Sequence, residues 1–152
     1  MLRPSASAEV AAAVSDCWRA VGANGVDPRR LTASGWSVVR DAAGTTTQAP
    51  LDVYTKPGAD DRIMLPRAPD APPLCAVIAR VSSPSQGPAT LTAIERSLRA
   101  IDPNVRSMRD DQGLVFFSGP TFALIDELDS DYVTKEQPGL RITVGYKIAE
   151  KK

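Results

Sequence analysis

Between Leu74 and Ile101 the chain reads LCAVIARV, then SSPSQGP, then TLTAIERSLRAI. No other stretch limits the fold so tightly. In the first segment Leu74, Ala76 and Ile78 alternate with Cys75, Val77, Ala79 and Val81, so both faces of the strand are apolar. That pattern belongs to a central strand covered on both sides. In the third segment Leu91, Ile94, Leu98 and Ile101 recur at spacings of three and four, the stripe of a helix that lies on a sheet. Thr90 is placed to cap this helix and Pro103 to stop it.

The segments before this unit fit around it. Val10, Ala13, Val14, Cys17, Trp18 and Val21 predict a helix from about Ser7 to Val21, closed by Gly22 and Asn24-Gly25, with Trp18 as a core anchor. Asp27 as N-cap, Pro28 at the first helical position and Gly35 at the exit predict a second, short helix. WSVVR, LDVYTK and RIMLPRA read as strands, the last two separated by the turn PGADD. Pro66 has no N–H to donate, which argues for RIMLP lying near a sheet edge.

After the main helix, VRSMRDD and GLVFFSGP read as a hairpin turning through Asp-Asp-Gln-Gly. TFALIDELD fits a strand, with a short helix as the alternative. LRITVGYKI alternates cleanly. Leu140, Ile142, Val144, Tyr146 and Ile148 face one way, the mark of a half-buried antiparallel strand. The expectation is an α+β fold: one domain over residues 1–152, with 1–6 and 149–152 frayed. It holds a mostly antiparallel sheet of about six to eight strands, with the two longer helices on one face.

Composition bounds the function. With 18 basic and 18 acidic residues the charges cancel, which points away from nucleic acid and from an anionic membrane surface. The excess of Arg over Lys fits a GC-rich, bacterial-like composition. No run of apolar residues is long enough for a membrane span. The first residues, MLRPSASAEVAAAVSDCW, make a poor signal peptide, so the chain reads as cytoplasmic or as one that follows a removed leader. Cys17 and Cys75 read first as two buried, reduced thiols. The alternative is a disulfide pinning the first helix to the central strand, which would imply an exported, oxidised protein.

Histidine is absent, which removes Ser-His-Asp and Cys-His nucleophilic sites and His-liganded metals. There is no G-x-S-x-G, no Walker A loop and no G-x-G-x-x-G. The run Asp126, Glu127, Asp129, Asp131 is the one constellation that invites a metal reading. Counted from Glu127, however, the sixth and twelfth places hold Tyr132 and Pro138 instead of the Gly and Glu of a calcium loop. Asp60, Asp61 and Arg62, and likewise Arg109, Asp110 and Asp111, read as turn chemistry. No pair of carboxylates stands out as an acid–base couple. Glu95 and Arg99 are spaced for an ion pair on a solvated helix face.

The sequence therefore predicts no catalytic residues, no cofactor and no metal. The function it suggests is a non-catalytic binding or protein-interaction domain whose partner is another protein, with oligomeric state left open. The alternatives are an accessory subunit of a larger assembly, or a small enzyme working through Asp, Glu and Arg without histidine.

Overall fold

The computed structural model describes residues 3–39, 51–66, 72–81, 83, 86–111, 113–128 and 139–147. Its elements, in chain order, begin with α1 (Ser7–Ala20), the two-residue strands β1 (Val21–Gly22) and β2 (Gly25–Val26), and α2 (Pro28–Ala33). The strands β3 (Ser37–Val38), β4 (Leu51–Thr55), β5 (Arg62–Pro66) and β6 (Leu74–Arg80) follow, then α3 (Gln86–Ile101). The last four are β7 (Arg106–Asp110), β8 (Gly113–Ser118), β9 (Thr121–Leu128) and β10 (Gly139–Tyr146). It is an α+β domain: strands β3 to β10 form one eight-stranded sheet in the order β3-β4-β5-β6-β10-β9-β8-β7. Every neighbouring pair in it is antiparallel.

The last strand lies in the middle. β10 joins β6 on one side, with Ile142 opposite Val77, and β9 on the other, with Ile142 opposite Ile125. Its alternation works as the sequence suggests: Ile142 and Val144 are buried and Arg141 is exposed. The face carrying Cys75, Val77, Ala79, Ile142 and Val144 is covered by α1, whose Val10, Val14 and Cys17 are fully buried. α3 lies beside α1 and adds Ile94 and Leu98 to the same core, which also holds Phe116 and Ile125. The Ser7 and Thr90 hydroxyls meet at 2.9 Å between the two helices.

Several boundaries differ from the sequence reading, each for a local reason. α3 starts at Gln86, a turn earlier than a Thr90 cap would allow. Gly87-Pro88 looks like a turn, but a proline in a helix's first turn sacrifices no hydrogen bond, because those N–H groups have no helical acceptor. Thr90 is thus inside the helix, buried, and its hydroxyl donates to the Gln86 carbonyl at 3.0 Å. β5 is interior, between β4 and β6, not near an edge. Pro66 is tolerated because its pairing with β6 stops at Met64, and Pro66 itself sits opposite Leu51 of β4.

The segment ahead of α1 is not frayed throughout: the Ser5 N–H donates to the Arg80 carbonyl at 2.6 Å, and Ser5 is 2% exposed. The strand read from Trp36 is two residues long, and Trp36 itself is a buried core residue. Residues 121–128 form a strand. Asp27 caps α2 as expected, accepting from the Arg29 N–H at 3.0 Å with Pro28 next in line. Residues 149–152 and the later part of the expected strand beyond Lys147 lie outside the described residues.

The two cysteines are bonded. Cys17 and Cys75 form a disulfide with their Cα atoms 5.6 Å apart, so the reading as two reduced thiols does not describe this structure. The reason is the packing of α1. It is the helix that covers β6, and its buried stripe brings Cys17 directly over the start of that strand.

Candidate functional site

The face of the sheet turned away from α1 carries the more informative chemistry. Because side chains alternate along each strand, the positions between the α1-facing ones form rows that cross the sheet. One row follows the register from β4 to β7: Val53, Met64, Ala76, Thr143, Leu124, Val115, Met108. Thr143 is its only polar member. Six strand spacings of roughly 4.8 Å make the row roughly 29 Å long. All but Met108 are half-buried, and Met108, at 51% exposure, is the large hydrophobic side chain that stands out in water among the described residues.

A second row runs parallel to the first: Leu74, Gly145, Phe122, Phe117 and Arg106. Gly145 has to be glycine here. A Cβ at that position would stand 2.6 Å from the Phe122 ring and 2.7 Å from a Leu74 methyl. The missing side chain lets Phe122 lie over β10 and reach Leu74 on the far strand. On the other flank, Arg62, Ile78, Arg141 and Asp126 share a row. Ile78 is 7% exposed although no described helix covers it, because it sits between the two arginines, whose aliphatic stems can shelter it. The Arg141 guanidinium donates twice to Asp126, at 2.6 and 3.2 Å. This is an apolar row with Arg62 and the Arg141–Asp126 ion pair on one side and exposed Arg106 on the other.

A different cluster lies at the end of the sheet where α1 begins. Asp61, just before β5, is fully buried, and neither carboxyl oxygen has a hydrogen-bond partner. Glu9, in the first turn of α1, also has a buried carboxyl oxygen without a partner. Burial is the main force pushing the Asp61 carboxyl up to about 6. Its own backbone N–H opposes this, the Glu9 charge adds to it, and Arg62 and Lys56 oppose it. Arg62 turns its guanidinium to the Asp61 backbone carbonyl at 3.0 Å instead of to the carboxylate. The Lys56 ammonium stands 5.9 Å over the Trp36 ring.

The acidic run predicted from sequence does not come together in what is described. Asp126 is engaged by Arg141, Glu127 takes the next register position opposite Leu140, and Asp129 and Asp131 lie outside the described residues. Among the described residues no three His, Cys, Asp or Glu side chains gather as metal ligands. Glu95 and Arg99 do meet, at 2.9 Å on the half-exposed side of α3. A surface depression of about 610 Å³ is lined by Arg19, Asn24, Asp27, Arg29 and Arg30. Its basic groups are occupied: Arg19 faces Asp16, Arg29 faces Asp27, and Arg30 donates to the Arg19 carbonyl.

Sequence reasoning passed over both the apolar rows and the Glu9–Asp61 pair. The rows depend on strand order and register, which no single strand encodes. Asp61 belongs to a turn signal, and only the tertiary fold buries it. Comparison with family models, with curated proteins and with solved structures finds no match to this chain.

Proposed function

We propose that this domain is a non-catalytic protein-binding module that docks a partner on the sheet face that no described helix covers. The observation that carries the reading is the apolar row from Val53 to Met108, crossing seven neighbouring strands with one polar interruption. An apolar row of that length on a sheet face that no described helix covers, ending in the exposed Met108, supports an interaction surface. The partner's chemistry follows from the margins. Arg141 is neutralised by Asp126, which leaves Arg62 on one flank and exposed Arg106 on the other as the cations that an apolar protein patch edged by Asp and Glu would meet.

The proposal includes an oxidising compartment, supported by the Cys17–Cys75 disulfide. No helix among the described residues is long and apolar enough to cross a membrane. The second reading, a small enzyme built on carboxylates, draws on Glu9 and Asp61. It is weaker because Asp61 is sealed from solvent.

The test is a photoreactive benzoylphenylalanine placed at position 108 and, as control, at the exposed Arg96 on α3. Irradiation in the native host is expected to give a discrete protein adduct at position 108 only. The adduct should vanish when Leu124→Asp puts a charge in the row, and its crosslinked peptide should map to an apolar, acid-edged surface. Adducts of equal yield at both positions, or adducts insensitive to Leu124→Asp, would overturn the proposal.

A further inference from the structure

We propose that two copies of this chain pair edge to edge through β7, antiparallel and centred on Met108, so that their sheets run on as one. β7 is the last strand of the sheet, and among the described residues no strand pairs with its outer edge. The opposite end is closed by β3, only two residues long, whereas β7 offers five, none of them proline. A bare edge of that kind is a template for another strand. Arg106, Ser107, Met108 and Arg109 are all exposed, and Met108 carries the large hydrophobic side chain that stands in water.

The order of residues selects a second copy as the occupant. β7 reads RSMRD. Laid antiparallel on itself, it pairs all five residues in one register, the one that sets Met108 opposite Met108. Arg106 then lies opposite Asp110, Asp110 opposite Arg106, and Ser107 opposite Arg109. Opposite charges directly across a ladder attract and like charges repel. Neighbouring registers lose this match: one sets Arg106 against Arg109, another sets Arg109 against itself, and the rest leave both Arg106–Asp110 pairs unmade. The pairing is two-fold symmetric, so it closes at two copies. It also joins the apolar row of one sheet to that of its partner through Met108, and takes the exposed end of each row out of water. The inference uses the edge of the sheet and does not rest on docking at the middle of its face.

The test is sedimentation velocity of the intact, oxidised protein from micromolar to millimolar concentration, where a monomer–dimer equilibrium is expected. Arg106→Asp sets Asp against Asp at both ends of the pairing and should weaken dimerisation about tenfold or more. Adding Asp110→Arg reverses both charges and should restore it. Met108→Cys should give a disulfide-linked dimer, because Cys17 and Cys75 are bonded to each other and position 108 faces its own copy. Arg106→Cys should not, since its counterpart lies four residues away, roughly 13 Å along the strand. Arg106 and Met108 are exposed, so thermal melts of the variants should match the wild-type monomer. A wild type that stays monomeric throughout would overturn the proposal, as would a dimer indifferent to Arg106→Asp or one not recovered in the double variant. A dimer lost in Leu124→Asp but kept in Arg106→Asp would also overturn it, and would place the second copy on the sheet face instead.

Discussion

The Trp36 indole N–H donates to the Asp16 carboxylate at 2.9 Å, tying the entrance of β3 to the middle of α1. Trp36 is 2% exposed and the Asp16 side chain 11%, so the bond is part-buried. Asp16 also faces Arg19 at 3.9 Å, but that contact is long and the Arg19 side chain is 54% exposed, so it adds little. Asp16→Ala leaves a buried N–H unpaired and is expected to cost about 1–3 kcal/mol. Urea melts should show the loss. Because two tryptophans are present, the emission change is assigned to Trp36 by repeating the melt in Trp18→Phe.

The disulfide gives a second expectation. Its cysteines are 58 residues apart, and in the chain-entropy model closing such a loop stabilises the fold by about 4 kcal/mol. Cys17→Ser with Cys75→Ser should lower the denaturant midpoint accordingly. In the wild type, denaturation without reductant should reveal no reactive thiols, and intact mass should be two hydrogens below the reduced value. Two labelled thiols in freshly isolated protein would contradict the bond.

Gly145 is a tightly fitted position on the sheet face that no described helix covers. Gly145→Val drives a side chain into the Phe122 ring and Leu74, and overpacking of this kind costs about 1–3 kcal/mol. Phe122→Ala in the same chain should recover part of that loss, because it removes the obstructing ring. A double-mutant cycle measured by urea unfolding checks the coupling; strict additivity would show that the two positions do not touch.

Core truncation should separate the two faces. Leu98→Ala removes a fully buried side chain between α3 and the sheet, and is expected to cost about 2–5 kcal/mol. Ile78→Ala, on the face with no described helix, should fall at the low end of the same range, since its neighbours in register are flexible arginine stems that can close over the gap. By contrast Glu95→Ala, which breaks the half-exposed pair with Arg99, should shift stability by less than about 0.5 kcal/mol.

The pH dependence has a definite sign. The Asp61 carboxyl is raised to about 6 in the folded chain, with 3.8 as its ordinary value. The folded state therefore holds a proton that the unfolded state gives up. The associated stability is fully present below about pH 4 and lost as pH rises through 6. A shift of this size corresponds to about 3 kcal/mol. Asp61→Asn should accordingly outlast the wild type in urea at pH 7.5, with the advantage shrinking toward zero on acidification.

What the sequence disclosed was whatever a single element can encode. The Leu140–Tyr146 alternation, the Leu91–Ile101 stripe and the Asp27-Pro28 cap each act within a few residues, and each is found where its pattern places it. Pro66 misled because a proline's meaning depends on where pairing stops, and pairing is set by the neighbour. Gly87-Pro88 misled because a turn and a helix's first turn accept the same dipeptide. The open face was out of reach for a further reason. Val53 and Met108 are far apart in the chain and share a row only because β10 threads between β6 and β9.

That threading also fixes when the molecule can form. The strands β3 to β6 make one meander and β7 to β9 another, and β10 is the strand that hydrogen-bonds them into one sheet. During synthesis the facing edges of β6 and β9 have no strand to pair with until residue 146 has left the ribosome. Long-range pairings of this kind are slow, and bare strand edges invite other chains. Until then β6 and the β7–β9 meander each present an unpaired edge, and closing both falls to a single strand, β10.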